Sequence, residues 1–144
     1  MAYTLSFFCR SGEDRADEAL HHLLEHLMEN GGRVVGESLG PFGDGVAASD
    51  LGTRRGDGGG PVADLLTLEV HVGVAEIAPY VIAASPEDEH GVWGCDLLAV
   101  ITLVGDNPDW PLVHRIWTAL VTMWGAVPWD ESSGFGIADG VPPA

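Results

Sequence analysis

Tyr3 to Arg10 alternates, with Tyr3, Leu5, Phe7 and Cys9 on one side and Thr4, Ser6 and Phe8 on the other. A period of two sets one face against a core, so the segment predicts a strand. The pattern then changes. Ala16, Leu20, Leu23, Leu24 and Leu27 recur at helical spacing and form one apolar stripe. Ser11 is placed to open this helix, with Asp14 as a variant of the capping-box partner. Glu13, Asp14, Asp17 and Glu18 gather where the helix dipole favours negative charge. Gly31-Gly32 is the expected stop.

Arg33 to Leu39 predicts a second, shorter strand. Residues 40–62 are rich in glycine and turn residues, and predict a flexible loop inserted in one domain. Leu66, Leu68, Val70, Val72 and Val74 alternate with Thr67, Glu69, His71 and Gly73, which predicts a half-buried strand. Ala78 to Ala84 reads as a further strand, begun around Pro79, followed by an acidic turn from Ser85 to Gly91. Trp93 to Val104 is apolar on both sides, as a central strand would be. Asp106-Asn107-Pro108-Asp109 offers caps and a helix-starting proline. Val113, Ile116, Trp117, Leu120, Met123 and Trp124 then mark a second amphipathic helix, closed by Gly125. Trp129 and Phe135 should dock the following segment on the core, leaving about 138–144 as a loose tail. Clustered strands with two helices predict an α+β fold. The expected architecture is a two-layer sandwich of a mainly antiparallel sheet and two amphipathic helices, a ferredoxin-like variant, in one domain over 1–144.

Charge changes the picture most. The chain has 22 acidic residues against six arginines and no lysine, a formal net charge of -16 over 144 residues. Such a field repels nucleic acid and anionic membrane surfaces, and attracts cations and basic proteins. The acidity does not signal disorder, because 46% of the residues are hydrophobic. The two cysteines, Cys9 and Cys95, lie among apolar neighbours and read as buried free thiols. With no apolar run of membrane-spanning length and no leader pattern, the expectation is a cytoplasmic protein.

Candidate chemistry is sparse. His22-Leu23-Leu24-Glu25-His26 matches the H-x-x-E-H pattern of zinc peptidases, and His22 and His26 share one helix face at i, i+4. The pair lies opposite the leucine stripe, so a solvated polar face is the competing reading. Zinc held by His22, Glu25 and His26 stands as the alternative to the main reading. His71 beside Glu69, His90 after Glu87-Asp88-Glu89, and His114 early in the second helix complete the imidazoles outside the first helix. No residue is assigned a catalytic role. Gly56 to Gly60 lacks the lysine and the spacing of a phosphate cradle. Asp44 and Asp50, or Asp106 and Asp109, are too sparse for an EF-hand loop. Acidic clusters at Glu87, Asp88 and Glu89 and at Asp130-Glu131 offer docking faces for a basic partner. Trp110 and Trp129 flank the second helix as candidate exposed anchors, whereas Trp117 and Trp124 lie on its apolar stripe.

The stretch Trp110 to Phe135 carries a tryptophan-containing helix followed by Gly125-Ala126-Val127-Pro128-Trp129-Asp130-Glu131 and Ser133-Gly134-Phe135. It resembles the ending of small immunity proteins from bacterial polymorphic-toxin systems, and of small actinomycete proteins. The resemblance implies a cytoplasmic acidic α+β inhibitor that occludes a toxin domain. The expected function is therefore non-enzymatic: an acidic protein that docks on a basic partner, possible targets including a nuclease toxin. Its contacts would come from Glu87, Asp88, Glu89, Trp129, Asp130 and Glu131. A self-associating, ligand-binding domain that forms a homodimer is the third reading.

Overall fold

The computed structural model describes residues 2–29, 34–39, 45–53, 65–87, 91–105 and 108–130. Its strands are β1 (Ala2–Cys9), β2 (Val34–Ser38), β3 (Val46–Thr53), β4 (Leu66–Val72), β5 (Leu97–Val104) and β6 (Val127–Trp129). Its helices are α1 (Ala16–Glu29), α2 (Val74–Ala84) and α3 (Trp110–Trp124). The strands form one sheet in the order β2-β3-β4-β5-β1-β6, and every neighbouring pair is antiparallel. The fold is α+β, as expected. Among the described residues there are three helices where the sequence predicts two, and β5 lies between β4 and β1.

The sheet and the α1–α3 pair are the two main layers. Leu5, Phe7 and Cys9 of β1 and Leu66, Leu68, Val70 and Val72 of β4 face these helices. They meet Leu20, Leu23 and Leu27 of α1 and Leu112, Ile116 and Leu120 of α3. Complete burial of side chains such as Phe7, Leu23 and Ile116 stabilises the fold by about 1.5–3 kcal/mol each. Phe7 meets Trp117 edge-on at 5.6 Å, a geometry that suits the ring quadrupoles. The opposite, outer face carries a smaller apolar cluster. There Phe8 and Leu98 receive Ile77 and Val81 of α2, with Val92 and Cys95 beside them. Cys9 and Cys95 are both buried and unbridged.

Four expectations are corrected. Residues 74–84 form a helix, not a strand from Ala78 to Ala84. Val74, Tyr80 and Ile82 are exposed although apolar, so the helical period is hidden in a segment with almost no polar side. Pro79 sits inside α2, where its ring removes one backbone donor. Second, the expected loop 40–62 contains β3. Glycine is a loop signal in sequence, but Gly52 is paired with Val35 of β2 inside the strand. The rest of that segment, and the tail 138–144, lie outside the described residues.

Third, α1 starts at Ala16, not Ser11. The Asp96 carboxylate at the head of β5 accepts Ser11 N at 2.7 Å, Ser11 Oγ at 3.1 Å and Gly12 N at 2.8 Å. Those donors are held away from a helical path, and Ala19 N to Arg15 O is a first-turn bond instead. Fourth, β5 begins at Leu97 rather than Trp93. Arg10 donates to the carbonyls of Gly91 at 2.8 Å and Trp93 at 3.0 Å, which holds that run as a loop. The second expected helix, now α3, ends as the sequence indicates. Asp109 caps it through Leu112 N at 3.1 Å, and Gly125 closes it in the left-handed conformation at φ 60°. Among the described residues no helix is long and apolar enough to cross a membrane.

Candidate functional site

The strand registers arrange the outer face in rows. Trp129, Ser6, Val100 and Glu69 form one row across β6, β1, β5 and β4. The next row is Val127, Phe8, Leu98 and His71. On the other side lies Thr4, Thr102, Thr67, Asp50 and Glu37, reaching β3 and β2. This last row is entirely polar, and Thr67 Oγ1 donates to Asp50 Oδ1 at 2.6 Å.

Helix α2 covers only part of this surface. Ile77 and Val81 seal Phe8 and Leu98, but among the described residues no such apolar pair covers Ser6. A cleft of about 610 Å³ remains, within the range of ligand pockets. Ser6 and Val100 are in its floor, Glu69, His71 and Tyr80 at one end, and Trp129 and Asp130 at the other. Three strand spacings separate the ends of the first row, so the Glu69 and Trp129 backbones lie about 14 Å apart across the sheet. The small Ser6 side chain leaves the space between them.

The two ends differ electrostatically. Asp130 is 3% exposed and accepts the Tyr3 hydroxyl at 2.5 Å. Burial first, and then this bond to a carboxylate, pushes the Tyr3 phenol well above its ordinary value. Tyr3 also packs at 6.2 Å from Trp110. At the other end, the His71 and Tyr80 rings lie 6.1 Å apart. Glu69 is half-buried and, among the described residues, has no hydrogen-bond or ion-pair partner. Among the described residues, no arginine lines the cleft.

Of the expected partner-binding residues, Glu87, Trp129 and Asp130 fall among the described residues. Glu87 is exposed just beyond α2, whereas Asp88, Glu89 and Glu131 lie outside the described residues. Trp129 is half-buried against the outer cluster and walls the cleft. Asp130 is turned inward to Tyr3, so its carboxylate is not a surface contact. Trp110 is likewise half-buried against the main core.

The expected metal set is not assembled either. His22 Nδ1 pairs with Glu13 at 2.8 Å, and His21 Nε2 pairs with Glu25 at 2.8 Å. The hydrogen bond to Glu13 and its charge raise the His22 pKa above the ordinary imidazole value. His26 instead borders a groove of about 390 Å³ between α1 and α3, with His114 and Arg115. Among the described residues, no three His, Cys, Asp or Glu side chains are grouped to hold a metal ion. The donor set therefore does not fit zinc as arranged.

Sequence reasoning placed Glu69 and His71 on one face of β4 but gave them no site. Tyr80 and Ser6 were missed. The alternation of β1 and β4 held the signal, and the strand assigned over α2 concealed Tyr80. No family model, curated sequence or solved structure matches this chain.

Proposed function

We propose that this is a non-enzymatic acidic binding protein that inhibits a basic protein partner by docking on it. The observation that carries this reading is the outer sheet face, which has Glu37, Asp50 and Glu69 on it and, among the described residues, no arginine lining its cleft. A net charge of -16 adds a long-range field of the same sign. The partner's Arg and Lys groups would pair with these carboxylates, leaving them unable to hold phosphate. A nuclease toxin in the bacterial cytoplasm is such a partner, as the resemblance of residues 110–135 to immunity proteins suggests.

The test is capture from the host lysate at low and high salt, using the native protein and a Glu37→Lys/Glu87→Lys variant. Both glutamates are exposed. The expected result is one basic protein retained at low salt, shed at high salt and weakly held by the variant. Retention that ignores both salt and charge reversal would remove the electrostatic reading.

Self-association is the second reading, favoured by Val74, Ile82 and Trp93, which are exposed around a hollow of about 190 Å³. Sedimentation at two concentrations tests it; an unchanged monomer mass excludes it.

A further inference from the structure

We infer that the outer-face cleft binds a guanidinium or ammonium group carried on an apolar stem, with Glu69 as its counter-ion. This assigns a ligand chemistry to the cleft, and its biological use rests on the basic-partner reading above.

Three observations converge. The first is shape: about 610 Å³ of space, floored by Ser6 and Val100 and extending about 14 Å between Glu69 and Trp129. That length accepts an extended aliphatic stem. The second is an unanswered carboxylate. Glu69 is half-buried in the cleft, and among the described residues no donor meets it. A carboxylate screened from water by cleft walls attracts a cation more strongly than one on an open surface. The other carboxylate in the cleft, Asp130, is already engaged by Tyr3, which directs a cation to the Glu69 end. The third is the lining. Tyr80 stands near Glu69 and Trp129 walls the far end, and aromatic faces attract cations as well as covering the stem. Among the described residues, an anionic ligand would face two carboxylates and no arginine.

Two other candidates are weaker. The groove beside His26, His114 and Arg115 has its one arginine bound to the Leu27 carbonyl at 3.3 Å. The apolar hollow at Val74, Ile82 and Trp93 has nothing in the structure to say what covers it.

The probe pair is butylguanidinium and its neutral isostere butylurea, titrated separately into the full chain. The readouts are the Trp129 indole and His71 ring resonances. Butylguanidinium should shift both saturably, and butylurea should bind at least about tenfold more weakly, the weight of one charge-assisted hydrogen bond. Glu69→Gln should lose about tenfold in affinity for butylguanidinium and nothing for butylurea. The substitution keeps the side-chain size and breaks no described bond, and an unchanged melting curve verifies the fold. As a second variant, Ser6→Leu should block both probes by filling the floor. Equal binding of the two probes, or full affinity in Glu69→Gln, would overturn the inference.

A parallel capture experiment separates the source of the cation. Loss of butylguanidinium binding and of the basic partner together in Glu69→Gln places a partner's side chain in the cleft. Partner capture without cation binding overturns the cleft assignment and leaves the docking reading standing. Cation binding without any captured partner does the reverse, and makes the cleft a site for a free organic cation.

Discussion

The same six strands make two unlike faces. On the inner face, every second residue of β4 is buried, and α1 and α3 close over it completely. On the outer face, the alternate residues of the same strand are Thr67, Glu69 and His71, and α2 reaches only one end. The difference lies in what lands opposite each row. Leucine, isoleucine and phenylalanine meet leucine-rich helices and exclude water. Serine, threonine and glutamate stay partly exposed. Tight packing is concentrated on one face, and a cleft is left on the other.

The sharpest way to break this contrast is to truncate both faces. Ile116→Ala removes a fully buried side chain from the inner core and should cost about 2–5 kcal/mol in denaturant unfolding. Val100→Ala, half-buried in the cleft floor, should cost about 1 kcal/mol or less. Equal losses would mean that the outer face is as tightly packed as the inner one.

The next largest effect belongs to the junction between the faces. Asp96→Ala strips two backbone donors and one hydroxyl of their acceptor, and should cost about 2–3 kcal/mol by the same measurement. Hydrogen exchange at Ser11 and Gly12 should quicken. If exchange there is unchanged, the carboxylate does not hold the turn.

A smaller effect is expected at the cleft's closed end. Tyr3→Phe leaves Asp130 without its hydroxyl donor and should cost about 1–2 kcal/mol in thermal unfolding. The Trp129 indole resonance should move with it, because Asp130 and Trp129 share the cleft wall.

The smallest effect lies outside both faces, on the exposed side of α1. The folded His22 pKa is raised, so its protonated form is favoured by folding. Its stabilising contribution is complete below the unfolded imidazole value of about 6.5 and is lost as pH rises through the higher folded value. An NMR titration should show His22 protonating above that reference, and Glu13→Gln should return it toward the reference.

The inner face was largely legible in the sequence. Strict alternation in β1 and β4, the leucine stripe of α1 and the capped α3 stripe each name their own buried side. The outer face was not. Its contents depend on cross-strand register, which sets Ser6 beside Trp129 and Val100 beside Glu69 across long separations in sequence. Local periodicity carries no such information. Helix α2 was hidden because Val74, Tyr80 and Ile82 are apolar yet exposed, and β3 because its small residues and Gly52 imitate a loop. Charge marks Asp130 as a docking residue in the sequence, but charge alone does not reveal that it turns inward to Tyr3.

The register of β1 has a consequence for synthesis. This strand lies between β5 and β6, and Ala2 pairs with Val104. β5 follows β1 by nearly 90 residues, and β6 comes later still. At bacterial and eukaryotic elongation rates, about 100 residues take on the order of 5–20 seconds to add. For that interval Phe7 and Phe8 emerge on a strand with both edges open, and the closing of a very long loop must precede any pairing. Among these strands β1 therefore waits longest for its neighbours, and β5 is the segment whose arrival ends that exposure.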